Sequence, residues 1–226
     1  MNQNSVCVAE ARAVRRVLII DDHPVVRHGL RYLMENSDDL AVCGEADTAG
    51  EARAAIEALH PDVLVCDISL TRVDGIELVR FLRAHYPKLP ILVLTALDET
   101  IYAERMLALG VNGYIMKHAP TDLFLVSLRR VLDGDIYVSD SISSTLLGKF
   151  AAGDPYLSAD PINRLTNREL QILHMIGKGA STREIAQLLH LSGKTVESHR
   201  QRIKRKLNFN TGAQLLRYAL LSHAQS

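Results

Sequence analysis

Five short apolar runs punctuate the first half of the 226-residue chain, at Val17–Ile20, Ala41–Cys43, Val63–Cys66, Ile91–Leu94 and Tyr114–Met116. Several are near-continuous Val, Ile and Leu, the pattern of strands buried on both faces. Amphipathic segments lie between them, carrying for instance Ala52, Ile56 and Leu59, or Ile76, Val79, Phe81 and Leu82. Thr48-Ala49-Gly50-Glu51 has the form of a capping box and is expected to open the second helix. Strand and helix in alternation predict an α/β doubly wound, five-stranded parallel sheet. The functional groups of such a sheet gather at the carboxyl ends of its strands.

Polar residues stand at those ends. Asp21 and Asp22 close the first run, Asp67 the third, Thr95 the fourth and Lys117 the fifth. Three carboxylates brought within a few ångströms repel by several kcal/mol per pair at an effective dielectric of about 20. A proton, the Lys117 ammonium or a divalent cation must offset that repulsion. Oxygen-only ligands with room for water suit Mg²⁺. A carboxylate can also attack a phosphoryl group to give an aspartyl phosphate, with a metal and a lysine neutralising charge on the transferring oxygens.

The order Asp-Asp, Asp, Thr, Lys, set in the stretches LIIDDHPVVRHGL, VLVCDISLTRVDGIEL, ILVLTA and GYIMKHA, resembles the receiver domain of two-component response regulators. The resemblance spans residues 16–134 and implies a flavodoxin-like fold. It implies that Asp67 is the phosphoacceptor, and that Asp21, Asp22 and the backbone carbonyl of Ser69 surround Mg²⁺ with it. It further implies that Thr95 and Lys117 contact phosphoryl oxygens, that the small Ala96 leaves the phosphoryl group open to solvent, and that Tyr114 is an aromatic switch that repacks inward. Thr71 stands where the family usually has proline, so that loop is expected to be looser. Asp74-Gly75 suits a turn before the third helix.

Formal charge is zero overall, but unevenly spread. Residues 1–154 carry 15 Lys+Arg and 22 Asp+Glu, a net of −7, whereas residues 155–226 carry 11 and 4, a net of +7. The basic half is a candidate for nucleic acid. Between the halves, residues 135–160 are rich in Gly, Pro and Ser and read as a linker, with a short helix open over Ile142–Phe150. Residues 161–226 read as an all-α helix-turn-helix domain. Thr166-Asn167-Arg168-Glu169 and Ser181-Thr182-Arg183-Glu184 are both capping boxes, and Ser192 caps a third, basic helix running to about Leu207. On that helix Val196, Ile203 and Leu207 form one stripe, with His199 expected to pack at the core. Lys194, Ser198, Gln201 and Arg205 lie opposite, flanked by Glu197 and Arg202. Gln suits adenine, Glu accepts from cytosine N4, and Arg suits guanine or phosphate.

The stretches LTNRELQIL, GKGASTREIAQLLHLS and KTVESHRQRIKRKLN resemble the LuxR-type helix-turn-helix, and a receiver followed by that module is similar to the NarL/FixJ class of transcription regulators. The resemblance implies that Glu197, Ser198 and Gln201 face bases while Lys194, Thr195, Arg202 and nearby cations such as Arg205 hold phosphates. It implies a sensor histidine kinase or phosphotransfer protein upstream, double-stranded promoter DNA as target and a homodimer on DNA, and it leaves RNA polymerase open as a further partner. Two other readings use the same residues: an aspartyl-phosphate phosphatase or phosphotransferase, and a DNA-binding protein whose receiver is a phosphate-independent dimerisation scaffold. No segment resembles a substrate cap, which argues against an enzyme with its own catalytic site. No apolar run approaches the roughly 20 residues that span a bilayer, and the three cysteines, Cys7, Cys43 and Cys66, lack CxxC spacing. The expectation is a cytoplasmic protein with no membrane partner.

Overall fold

The computed structural model describes residues 13–70, 75–151 and 161–224. Cys7, Thr71, Asp74 and the 152–160 end of the linker, all singled out above, lie outside the described residues. The five expected strands form one parallel sheet in the order β2-β1-β3-β4-β5, from β1 (Arg15–Ile20), β2 (Leu40–Ala46), β3 (Val63–Cys66), β4 (Ile91–Thr95) and β5 (Gly113–Met116). The helices α1 (Pro24–Glu35), α2 (Ala49–Leu59), α3 (Gly75–His85), α4 (Glu99–Ala108) and α5 (Thr121–Leu132) alternate with them.

Successive strand residues point to opposite faces, and the core divides accordingly. Leu18, Ile20, Leu64, Cys66, Ile91 and Val93 pack with Ala52, Ile56, Val79, Tyr102 and Met106 of α2, α3 and α4. Val17, Ile19, Val63, Val65, Leu92 and Leu94 pack with Leu30 and Met34 of α1 and Phe124, Leu128 and Val131 of α5. Register then fixes the rim. Ile20 pairs Cys66 and Thr95 pairs Met116, so Asp21 and Asp67, and likewise Thr95 and Lys117, leave adjacent strands side by side.

The stretch read as linker carries structure of its own. Tyr137 extends the sheet beyond β5, its carbonyl accepting from Tyr114 N–H and its N–H donating to Asn112 O, both at 2.9 Å. Next, α6 (Asp140–Ala151) lies on α4, with Ile142 buried in the core, Ser139 Oγ 2.7 Å from Glu99 and Lys149 paired with Glu104. Ser-rich composition suggests flexibility, but one well-placed apolar residue and two polar anchors hold this helix down. Gly75 opens α3 and carries a packing requirement of its own. A Cβ there would sit 2.2 Å from the Ile68 carbonyl, so glycine is required for close backbone approach at the start of α3.

A short 3₁₀ turn (Pro161–Arg164) leads into α7 (Asn167–Gly177), α8 (Thr182–Leu188), α9 (Gly193–Lys206) and α10 (Gly212–Ala224). Both capping boxes are complete: Thr166 and Ser181 each accept from the third helical N–H, and Glu169 and Glu184 each reach back. The box expected at Thr48 is only half formed, because Glu51 accepts from Asp47 N–H instead. Leu170, Ile172, Leu173, Ile176, Ile185, Val196, Ile203 and Leu215 make the core of this domain, which is continuous with the α4 side of the sheet. Among the described residues, no helix is long and apolar enough to cross a membrane.

Candidate functional site

At the carboxyl end of the sheet Asp67 is 1% exposed and Asp21 2%. Lys117 Nζ reaches both, 2.6 Å from Asp67 Oδ2 and 2.7 Å from Asp21 Oδ2. Burial works against the ammonium, but hydrogen bonds to Asp21 and Asp67, with their charges, outweigh it and raise the Lys117 pKa. The Ser69 N–H donates to Asp67 Oδ1 at 2.7 Å, and its hydroxyl lies 2.7 and 2.8 Å from the two Asp67 oxygens. Behind the rim, Arg27 donates from Nη1 to the Asp21 carbonyl at 2.6 Å and from Nε to Glu45 at 2.9 Å. Burial opposes the charge on Glu45 too, yet its hydrogen bonds from Arg27 and Arg31 leave its carboxyl below the usual range. That ion-pair group fixes where β1 delivers Asp21.

Asp21, Asp22, His23 and Asp67 each offer a ligand atom, all within 4.8 Å of one another. Three carboxylates against one Lys117 ammonium leave two negative charges, which a hard divalent cation matches in charge and donor chemistry. The rim therefore fits Mg²⁺. His23 is the residue the sequence reading missed. Its Nδ1 is 3.0 Å from both Asp21 Oδ1 and Asp22 Oδ1 and 3.9 Å from Asp67 Oδ2. Its adjacency to the Asp21-Asp22 pair was the available signal.

Thr95 is buried, its Oγ1 accepting weakly from Leu97 N–H at 3.3 Å and its carbonyl accepting from Lys117 N–H at 2.8 Å. Ala96, next to it, is exposed. Tyr114 already stands inward in this structure, 1% exposed, its hydroxyl donating to Leu97 O at 2.8 Å. Burial raises its pKa, so it remains a neutral donor.

The second set of residues forms a separate surface on α9. Lys194, Glu197, Ser198, Gln201, Arg202 and Arg205 are exposed and Thr195 is half-buried, whereas Val196 and Ile203 on the other side are fully buried. Thr195 N–H donates to Ser192 Oγ at 3.0 Å as part of the helix cap, and Ser198 Oγ donates back to Lys194 O at 3.0 Å. Glu197 lies 3.7 Å from Arg200, which donates to Thr182 Oγ1 at 3.1 Å and so ties α9 to α8. His199 is half-buried, as its place beside the apolar stripe requires.

Two protein-family models match in tandem: the response regulator receiver domain over residues 17–129 and the bacterial regulatory proteins of the luxR family over residues 163–219. The chain belongs to the two-component response regulators of the NarL/FixJ class, DNA-binding proteins in which a receiver precedes a LuxR-type helix-turn-helix. It is 34% identical to the oxygen regulatory protein NreC of Staphylococcus haemolyticus over 209 residues, 91% of this chain and 96% of that protein. The NreC of Staphylococcus carnosus is 35% identical over the same length and shares. Among solved structures, RcsB of Salmonella typhimurium superposes with a TM-score of 0.57 at 29% identity, over 92% of this chain and 99% of RcsB. RcsB of Salmonella enterica serovar Typhimurium bound to promoter rprA with phosphomimetic BeF3- gives 0.55 at 30% identity, over 92% and 98%.

Proposed function

We propose that this regulator is switched by Mg²⁺-dependent phosphorylation of Asp67, with a sensor histidine kinase or phosphotransfer protein as donor and promoter DNA as target. The observation that carries this reading is the Asp67 carboxylate itself, buried at a strand end, in contact with one ammonium and beside two further carboxylates. An Asp67 oxygen attacks the phosphorus, and the bond from phosphorus to the donor atom breaks with its electron pair staying on the donor. Asp21, Asp22, Asp67 and the Ser69 carbonyl would hold Mg²⁺, which when bound would supply charge neutralisation at the phosphoryl oxygens. Lys117 pairs with one of those oxygens, and the Thr95 hydroxyl leaves Leu97 for another. Exposed Ala96 keeps the group accessible to water. The modification adds roughly −1.5 to −2 charge, and Tyr114, bonded to the Leu97 carbonyl, carries the change to α4.

On the DNA side, Glu197, Ser198 and Gln201 face base edges, while Lys194, Thr195, Arg202 and Arg205 hold phosphates. RcsB has been solved as two dimers on two parallel DNAs. By that likeness this chain binds DNA as a homodimer in the cytoplasm, with Leu216 and Leu220, 43% and 49% exposed on α10, supplying an apolar seam. Incubation with acetyl phosphate and Mg²⁺ tests the phosphoacceptor. Acid-labile label on the native protein is expected to vanish in Asp67→Asn while far-ultraviolet circular dichroism stays unchanged. Label that survives the substitution moves the site elsewhere.

A further inference from the structure

We infer that Asn167, in the DNA-binding domain, is a positioning residue for phosphoryl transfer to Asp67: docked on the Ile68 carbonyl, it holds the Ser69 N–H on that carboxylate and so slows its reaction. The inference rests on the phosphoacceptor reading above. Its basis is one peptide unit. The Ile68 carbonyl and the Ser69 N–H belong to the same rigid plane. The N–H donates to Asp67 Oδ1 at 2.7 Å, and the carbonyl accepts from Asn167 Nδ2 at 3.1 Å. Hydrogen bonds at the two ends of one amide polarise and strengthen each other.

Both Asp67 oxygens are engaged. Oδ1 accepts from the Ser69 N–H and hydroxyl, and Oδ2 lies against that hydroxyl and Lys117. A carboxylate offers about four lone-pair sites, and the Ser69 N–H, the single Ser69 hydroxyl proton and Lys117 fill three of them, so releasing the N–H opens Oδ1, the oxygen away from Lys117, to phosphorus. Turning the Ile68–Ser69 peptide frees the Ser69 N–H from Oδ1. On one side Gly75 closes in on the Ile68 carbonyl too tightly to accommodate even a Cβ. The partner that can withdraw is Asn167.

Asn167 is itself held to α4. The Tyr102 hydroxyl, on a residue 1% exposed, donates to Asn167 O at 3.1 Å, and the Arg105 guanidinium, 5% exposed, donates to Leu165 O. Asn167 is also the first residue after the Thr166 cap. Glu169 of that capping box accepts from Thr166 N–H at 2.8 Å and from Lys206, at the end of α9, at 2.6 Å. The helix that meets DNA is thus tied to the helix start that meets the phosphoacceptor loop. Coupling of this kind is reciprocal at equilibrium: if phosphorylation loosens the DNA-binding domain, DNA that draws the domain away favours the phosphorylated form, and withdrawing Asn167 from the Ile68 carbonyl lifts its restraint on the rate.

The test uses the full chain with Mg²⁺ and acetyl phosphate. In the step followed, an Asp67 oxygen forms the new O–P bond while the bond from phosphorus to the acetyl oxygen breaks, its electron pair leaving on acetate. Initial rates of acid-labile phosphate incorporation are measured against donor concentration for the native protein, Asn167→Asp and Asn167→Ala, with and without sonicated duplex DNA at low ionic strength. Asn167→Asp removes the donor, yet favours a helix N-terminus, so its melting temperature is expected to hold. Both variants are expected to react about threefold to tenfold faster at saturating donor, the scale of one lost hydrogen bond, with half-saturation unchanged. Duplex DNA should accelerate the native protein by a similar factor and leave the variants unmoved. Equal rates for all three proteins, or equal acceleration by DNA, overturns the inference while sparing Asp67. Failure of every form to incorporate phosphate overturns both.

Discussion

Lys117 is what makes two deeply buried aspartates compatible with one rim. Hydrogen bonds to Asp21 and Asp67 raise its pKa against the effect of burial, and it stands within 2.7 Å of both carboxylates. Lys117→Met leaves those charges facing each other, and a broken buried pair costs on the order of 3 kcal/mol. Urea denaturation is expected to show that loss, and millimolar Mg²⁺ to restore more stability to the variant than it adds to the native protein. An unchanged midpoint would mean that Lys117 does not stabilise the rim. His199 is perturbed in the opposite sense for a base. Burial, with Arg202 nearby, pushes its pKa below the ordinary 6.5, although Glu169 pulls the other way, and its Nδ1 is buried with no hydrogen-bond partner among the described residues. Above about pH 6.5 neither the folded nor the unfolded state is protonated, so the group contributes no pH dependence. Below it the unfolded chain takes up a proton that the folded one refuses, and stability falls with falling pH until the folded group titrates. Thermal melts from pH 7.5 to 5.5 should show that decline, and His199→Gln should flatten it.

At the scale of elements, what could be read in the sequence was what physics makes local. Strand alternation, the rim at strand ends, and the boxes at Thr166 and Ser181 each depend on residues a few positions apart. The Thr48 box half-failed for an equally local reason, since Asp47 N–H competes for Glu51. Residues 140–151 were harder, because the Ser and Thr cluster at 141–145 masks a helical pattern while the single buried Ile142 decides the packing. Gly75 announced a glycine requirement but not its cause. The bond from Asn167 to Ile68 joins residues 99 positions apart, and no spacing rule reaches that far. For α9 the arrangement gives a discriminating expectation. Gln201→Ala should alter sequence preference in a binding-site selection. Lys194→Ala should weaken specific and random duplexes alike by less than tenfold and lower the salt slope by about one. Equal effects of both substitutions on both duplexes would remove Gln201 from the base readers.

Across the whole molecule, the two domains share one apolar core on the α4 side, yet the reading face of α9 stays open to solvent. The receiver therefore holds the DNA-binding domain at the start of α7 without covering the exposed face of α9. The number of phosphates engaged per subunit then stays constant. The slope of log affinity against log salt should roughly double when the protein passes from one copy to two on DNA, measurable by fluorescence anisotropy before and after phosphorylation. A slope that does not move argues that pairing is not the switch. The strip at Tyr137 has a practical corollary for anyone dissecting this protein. Ending a receiver fragment at Gly134 strips the outermost ribbon of its last amide partner and unroofs the pocket that Ile142 fills. Such a fragment is a template for sticking to itself, whereas one carried through Ala151 keeps its border sealed and should stay monodisperse.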